Sequence, residues 1–174
     1  MKFGRSRVLG LAAATALLGV LSATPALAGN ATTTFPVTAT VATNCLVSAN
    51  PLNFGTYTQG AGNLFQSSTI NVNCSKGVAF NVGLNAGATS GATVTTRAML
   101  NGTNQLDYDL FQDSGHSLNW GDTVGTDTEA GTGLGFGSAN LVAMTVYGEI
   151  PDNAVNQADP AGSYSDTVTV TVSF

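Results

Sequence analysis

Apolar residues recur at every second position in several short stretches of the chain. "FPVTATV" (35–41) sets Phe35, Val37, Ala39 and Val41 against polar or small neighbours. "STINVNC" (68–74) puts Ile70, Val72 and Cys74 on one face, and "VAFNVGL" (78–84) does the same for Val78, Phe80, Val82 and Leu84. "LVAMTVYGEI" (141–150) is a longer and more continuously apolar run. "DTVTVTVSF" (166–174) aligns Val168, Val170, Val172 and Phe174. A period of two is the spacing of a strand with one buried face. Between the runs, "NPLNFG" (50–55), "NAGATSGAT" (85–93) and "NGTNQ" (101–105) carry turn chemistry. The stretch 121–140 is rich in glycine, threonine and acidic residues and reads as a mobile surface loop. Many short alternating runs broken by turns predict an all-β protein, a small antiparallel sandwich of six or seven strands.

The first residues read differently. Lys2, Arg5 and Arg7 precede an apolar run from Val8 to Leu21, and Ala26-Leu27-Ala28 is a small-x-small cleavage site. That pattern predicts a secretory signal peptide over 1–28, with the mature chain starting at Gly29. The run is too short to span a bilayer comfortably, and no later stretch is long and apolar enough. Removing 28 of 174 residues leaves 146, one domain's worth of core.

Charge changes with the signal. Only Lys76 and Arg97 remain against ten acidic residues, a net side-chain charge of −8. No basic patch remains to hold nucleic acid or an anionic membrane. Cys45 and Cys74 are the two cysteines. In a secreted chain their default state is a disulfide, closing a loop of about 30 residues and stabilising by roughly 3–4 kcal/mol on the chain-entropy model.

Candidate chemistry is sparse. Asp107, Asp109 and Asp113 suggest a calcium loop, but counting from Asp107 the required glycine and glutamate are absent. His116 has no cysteine or serine–acid partner in the sequence. "GTGLGFG" (131–137) lacks the lysine and serine or threonine of a phosphate loop. Trp120 and Tyr108 supply core or turn packing, or else a sugar platform. No catalytic residue, metal site or cofactor is predicted.

Several pieces together resemble the spore coat protein U family, which includes subunits of archaic chaperone–usher pili. They are "FPVTATVATNCLVSANPLNFGTY" near the start, "TTRAML" (95–100), "LDYDLFQDSGHSLNWGD" (106–122), "VYGEIP" (146–151) and "AGSYSDTVTVTVSF" (161–174). The resemblance covers essentially all of the mature chain and departs from the family around 121–140.

The resemblance implies an immunoglobulin-like β-sandwich that is incomplete, lacking its last strand. A periplasmic chaperone lends a strand. At an outer-membrane usher, the N-terminal segment of a neighbouring subunit replaces it, and a head-to-tail polymer grows at the cell surface. On this reading 29–41 is the donor segment, with Phe35, Val37, Ala39 and Val41 as its apolar set, and 42–174 is the domain. Because "FPVTATV" runs close to Cys45, part of 29–41 can serve instead as the domain's own first strand. Val168, Val170, Val172 and Phe174 form the strand on which chaperone and donor pair, facing the core beside the groove. Two rivals stand beside this structural, non-enzymatic role: a coat protein that forms no pili, and a monomeric carbohydrate-binding sandwich using an exposed aromatic such as Trp120.

Overall fold

The computed structural model describes residues 28–174. The signal-peptide expectation thus lies outside the described residues, apart from Ala28. Residues 28–39 form a unit of their own without regular structure, and residues 40–174 form the sandwich.

Eight strands occur among the described residues: β1 (Cys45–Ala49), β2 (Leu64–Cys74), β3 (Ala79–Leu84), β4 (Arg97–Asn101), β5 (Asn104–Phe111), β6 (Glu129–Thr132), β7 (Val142–Ile150) and β8 (Val170–Ser173). They build a five-stranded sheet, β1-β2-β7-β5-β4, and a three-stranded sheet, β6-β3-β8. Every pairing is antiparallel.

The alternation seen in the sequence sets which side chains enter the core. Ile70 and Val72 of β2, Phe80, Val82 and Leu84 of β3, and Met144, Val146 and Ile150 of β7 are all buried. From β5, Leu106, Tyr108 and Leu110 join them. Residues between them, such as Phe65, Tyr147 and Asp109, point to the outer face of the five-stranded sheet, as a two-residue period requires. The disulfide joins Cys45 to Cys74 at one end, termed the lower end here, where Cys45 lies opposite Cys74 in the β1–β2 ladder.

Two buried side chains lock the interior. Trp120 is fully buried and its indole Nε1 donates to the Val82 carbonyl at 2.8 Å. Arg97 is also fully buried and donates to four carbonyls, those of Asn85, Val94, Leu84 and Trp120, at 2.7–2.9 Å. Its guanidinium gathers chain ends from three separate loops, and burial holds it below its ordinary pKa.

Three expectations need correction: six or seven strands against the eight described, 121–140 as a loop, and the extent of the C-terminal strand. The 121–140 stretch holds a strand, β6, paired along β3. Its close approach rests on glycines: a side chain at Gly131 would strike Phe80, and one at Gly133 would strike Ser75 and Cys74. Glycine leaves no hydrophobic rhythm to read, so the strand was invisible to the pattern. β4 and β5 form a further hairpin, turned at Gly102-Thr103 with Gly102 at φ 63, which suits the first central position of a two-residue turn. Residues 35–41, which alternate like a strand, form none in the isolated chain, where no neighbouring strand is paired with them. The C-terminal strand is shorter than 166–174. Ser165 still pairs with Leu100 of β4, at 2.9 and 3.1 Å, and the chain then crosses to β3. A strand that switches sheets must break its ladder at the corner.

Candidate functional site

The two sheets end in free edges on the same side. β1 closes the five-stranded sheet and β8 the three-stranded one. Between them the core is open.

The clearest sign is on β1. Its register places Val47 opposite Val72 and Ala49 opposite Ile70, and both partners are buried. Val47 and Ala49 therefore face inward with them, yet Val47 is 41% exposed and Ala49 is exposed too. The core side of this strand is only partly covered. Across the seam, Val168, Val170 and Val172 pack half-buried against the core while Thr167, Thr169 and Thr171 face out. Phe174 departs from expectation: it lies past β8 and is 59% exposed.

Above this seam a cleft of ≈ 1070 Å³ runs into the sandwich. Its floor is apolar, including Ile70, Leu84, Leu106, Val146 and Ile150. One wall is the segment after β1, where Leu52 and Phe54 lean on the core. Gly148 of β7 makes room for them, since a Cβ there would sit 2.8 Å from Phe54 and 3.0 Å from Leu52. The other wall is the approach to β8, from Tyr164 to Val170.

Two tyrosine–carboxylate pairs hold these walls. The Tyr57 hydroxyl donates to Asp152 at 2.6 Å, and the same carboxylate accepts from the Gly60 and Gly62 amides at 3.0 and 2.8 Å. These donors hold Asp152 well below the usual carboxylate range. Desolvation and Asp152 together push Tyr57 up to about 12. Opposite, the Tyr108 hydroxyl donates to Asp166 at 2.6 Å, and Asp166 accepts from the Ala88 and Thr167 amides at 2.8 and 2.7 Å. Burial, then this bond, raises Tyr108 far above an ordinary phenol. Asn156, fully buried, donates to the Asp107 and Pro151 carbonyls and accepts from the Asp107 amide. Each of these polar groups is hydrogen-bonded within the chain. The site offers apolar floor and unpaired strand edge, which suit an extended peptide.

The alternating set Phe35, Val37, Ala39 and Val41 is exposed, with Phe35 at 79% and Val41 at 90%. Trp120, the proposed sugar platform, is buried and cannot serve as one. Among the described residues no group of three or more His, Cys, Asp or Glu could hold a metal ion. No helix among them is long and apolar enough to cross a membrane.

A match to the Spore Coat Protein U domain spans residues 31–171. The chain belongs to the spore coat protein U domain family. It is 34% identical over 181 residues to Protein U of Myxococcus xanthus, covering 94% of this chain and 96% of that relative. Among solved structures it is similar to the CsuC–CsuE chaperone–tip adhesion subunit pre-assembly complex from archaic chaperone-usher Csu pili of Acinetobacter baumannii. That likeness has a TM-score of 0.52 at 29% identity and covers 78% of this chain. The chain spans only 40% of the solved one. The spore coat protein U match includes Phe35 to Val41.

Proposed function

We propose that this protein is a structural subunit of an archaic chaperone–usher surface fibre, polymerising by donor-strand exchange. The observation that carries the reading is the open seam: inward-facing side chains of β1 only partly covered, β8 unpaired on its outer side, and an apolar cleft between. Residues 29–41 of one copy supply the strand that closes the seam of the next. Main-chain hydrogen bonds run along β8, and Phe35, Val37, Ala39 and Val41 enter the cleft. Burying the larger of these at roughly 1.5–3 kcal/mol each gives several kcal/mol before the cost of ordering the segment. A one-residue slip turns every apolar side chain outward, so the register is well specified. The contact is head-to-tail and open-ended, so it builds filaments.

The same seam takes a chaperone strand before assembly, with an outer-membrane usher as the place of exchange and the cell surface as destination. Likeness to a chaperone–subunit complex supports the chaperone. Roles in adhesion or biofilm formation follow from a fibre at the surface. The reading assigns no catalysis. A coat protein without fibres is the second reading, favoured by the near full-length relationship to Protein U.

The test is co-expression with a periplasmic chaperone of the archaic chaperone–usher type and deletion of residues 29–41. The full chain is expected to form polymers. The deleted chain is expected to keep its chaperone complex and accept a synthetic peptide of residues 29–43, yet form no polymer. A deleted chain that still polymerises, or a chaperone-released subunit that ignores the peptide, defeats the reading. Fibres absent from the cell surface, with peptide binding intact, favour the coat.

A further inference from the structure

Two surface patches remain outside the seam, at opposite ends of the sandwich. The upper one lies on the outer face of the five-stranded sheet. Phe65, Phe111 and Tyr147 surround His116, with ring centroids 4.6, 5.3 and 6.2 Å from the imidazole. Phe65 is 49% exposed, and Leu118 on the adjoining turn is 58% exposed. Glu149 lies directly opposite both Phe65 and Asp109. Two carboxylates facing each other across a ladder repel, and burial together with Glu149 raises the Asp109 pKa. The patch is aromatic, partly exposed and carries no lysine or arginine.

The lower patch lies beside the disulfide. Lys76 is the one exposed Lys or Arg among the described residues, since Arg97 is buried. It sits in the β2–β3 turn against the 133–137 loop, with its Cβ 3.7 Å from where a Gly135 side chain would start. Leu134 and Phe136 of that loop are 53% and 46% exposed. The lower patch is thus apolar with a single cation. Phe65 and Cys74 are nine residues apart on one strand, about 30 Å, so the two patches cannot meet within one copy.

We propose that they meet between consecutive copies, Lys76 of the donating copy seating over the aromatic face beside Glu149 and Asp109 of the accepting copy. This rests on the donor-strand reading. β8 runs downward, from Val170 opposite Leu84 to Ser173 opposite Asn81. A strand antiparallel to β8, as all described pairings are, runs upward and leaves the cleft at its upper end. Only residues 42–44 then separate it from β1, a reach of about 10 Å. Asn44 is itself tied to the turn holding Lys76: Ser75 donates to its carbonyl at 2.9 Å. The tether therefore delivers the lower end of one copy to the upper end of the next. A lysine over an aromatic face gains cation–π attraction, and here also two carboxylates. Because the donor strand already joins the copies, the contact closes at millimolar effective concentration, so a small patch suffices.

Cysteine cross-linking tests this, since no free cysteine is present to interfere. In polymers of the Lys76→Cys/Glu149→Cys double variant, oxidation is expected to yield a covalent ladder in denaturing gels, absent from either single variant. A second measurement uses charge: Lys76→Glu polymers are expected to bend more in electron micrographs, and Lys76→Glu/Glu149→Lys to regain the original stiffness. High salt should mimic Lys76→Glu. Polymers that form normally but give no ladder, with stiffness unchanged in Lys76→Glu, overturn the contact while sparing the donor-strand reading. A parent chain that never polymerises overturns both.

Discussion

Arg97 shows how one residue holds the fold's loops together. Its four carbonyl acceptors belong to residues 84, 85, 94 and 120. Replacing it with alanine strands those acceptors in the interior and opens a void. Arg97→Ala is expected to lower stability by about 3–5 kcal/mol, read by urea unfolding of the peptide-complemented domain. The Tyr57–Asp152 pair sets a pH window. Asp152 is depressed in the folded state, so its stabilisation is present above the unfolded value, about 3.9, and is lost as pH falls through the folded one. Tyr57 is raised, so its share is present below about 10 and lost as pH climbs through about 12. Phenolate absorbance should therefore show a tyrosine titrating near 12 that shifts toward its ordinary value in Asp152→Asn.

At the scale of elements, the decisive feature is a strand with one edge paired and the other bare. Exposed edges invite association, and here the bare edge of β8 adjoins an open cleft. Placing a charge on its inward face should block occupancy without undoing the β3–β8 ladder. Val170→Lys is expected to abolish binding of the 29–43 peptide, measured by calorimetry, while Thr171→Lys on the outward face leaves binding nearly unchanged. The glycine notch at Gly148 is the second element-scale device. Gly148→Ala must displace Leu52 and Phe54, at an overpacking cost of about 1–3 kcal/mol by urea unfolding.

Over the whole molecule, a partly uncovered core predicts ligand-dependent stability. A bound donor peptide at a hundred times its Kd should add about 2.7 kcal/mol, seen as a rise in thermal midpoint that grows with peptide concentration. Breaking the Cys45–Cys74 bond should remove roughly 3–4 kcal/mol from the same complex, because the bond anchors β1, one wall of the seam, to the neighbouring strand β2.

Much of this architecture was legible before any coordinates. Period-two spacing exposed the core faces of β2, β3 and β8, because a strand with one dry side must alternate. The cysteine pair followed from the reading of a secreted chain. Other parts had no such trace. β6 packs through glycines, whose contribution is closeness and leaves no apolar rhythm. The burial of Arg97 left no local signal, since the loops that enclose it are distant in sequence. The alternation of 35–41 and that of 166–174 looked alike, yet in the isolated chain the first forms no strand while part of the second pairs with β3. A hydrophobic pattern states which side chains need cover; only the arrangement of the sheets decides which edges receive it within the chain and which are left for a neighbour.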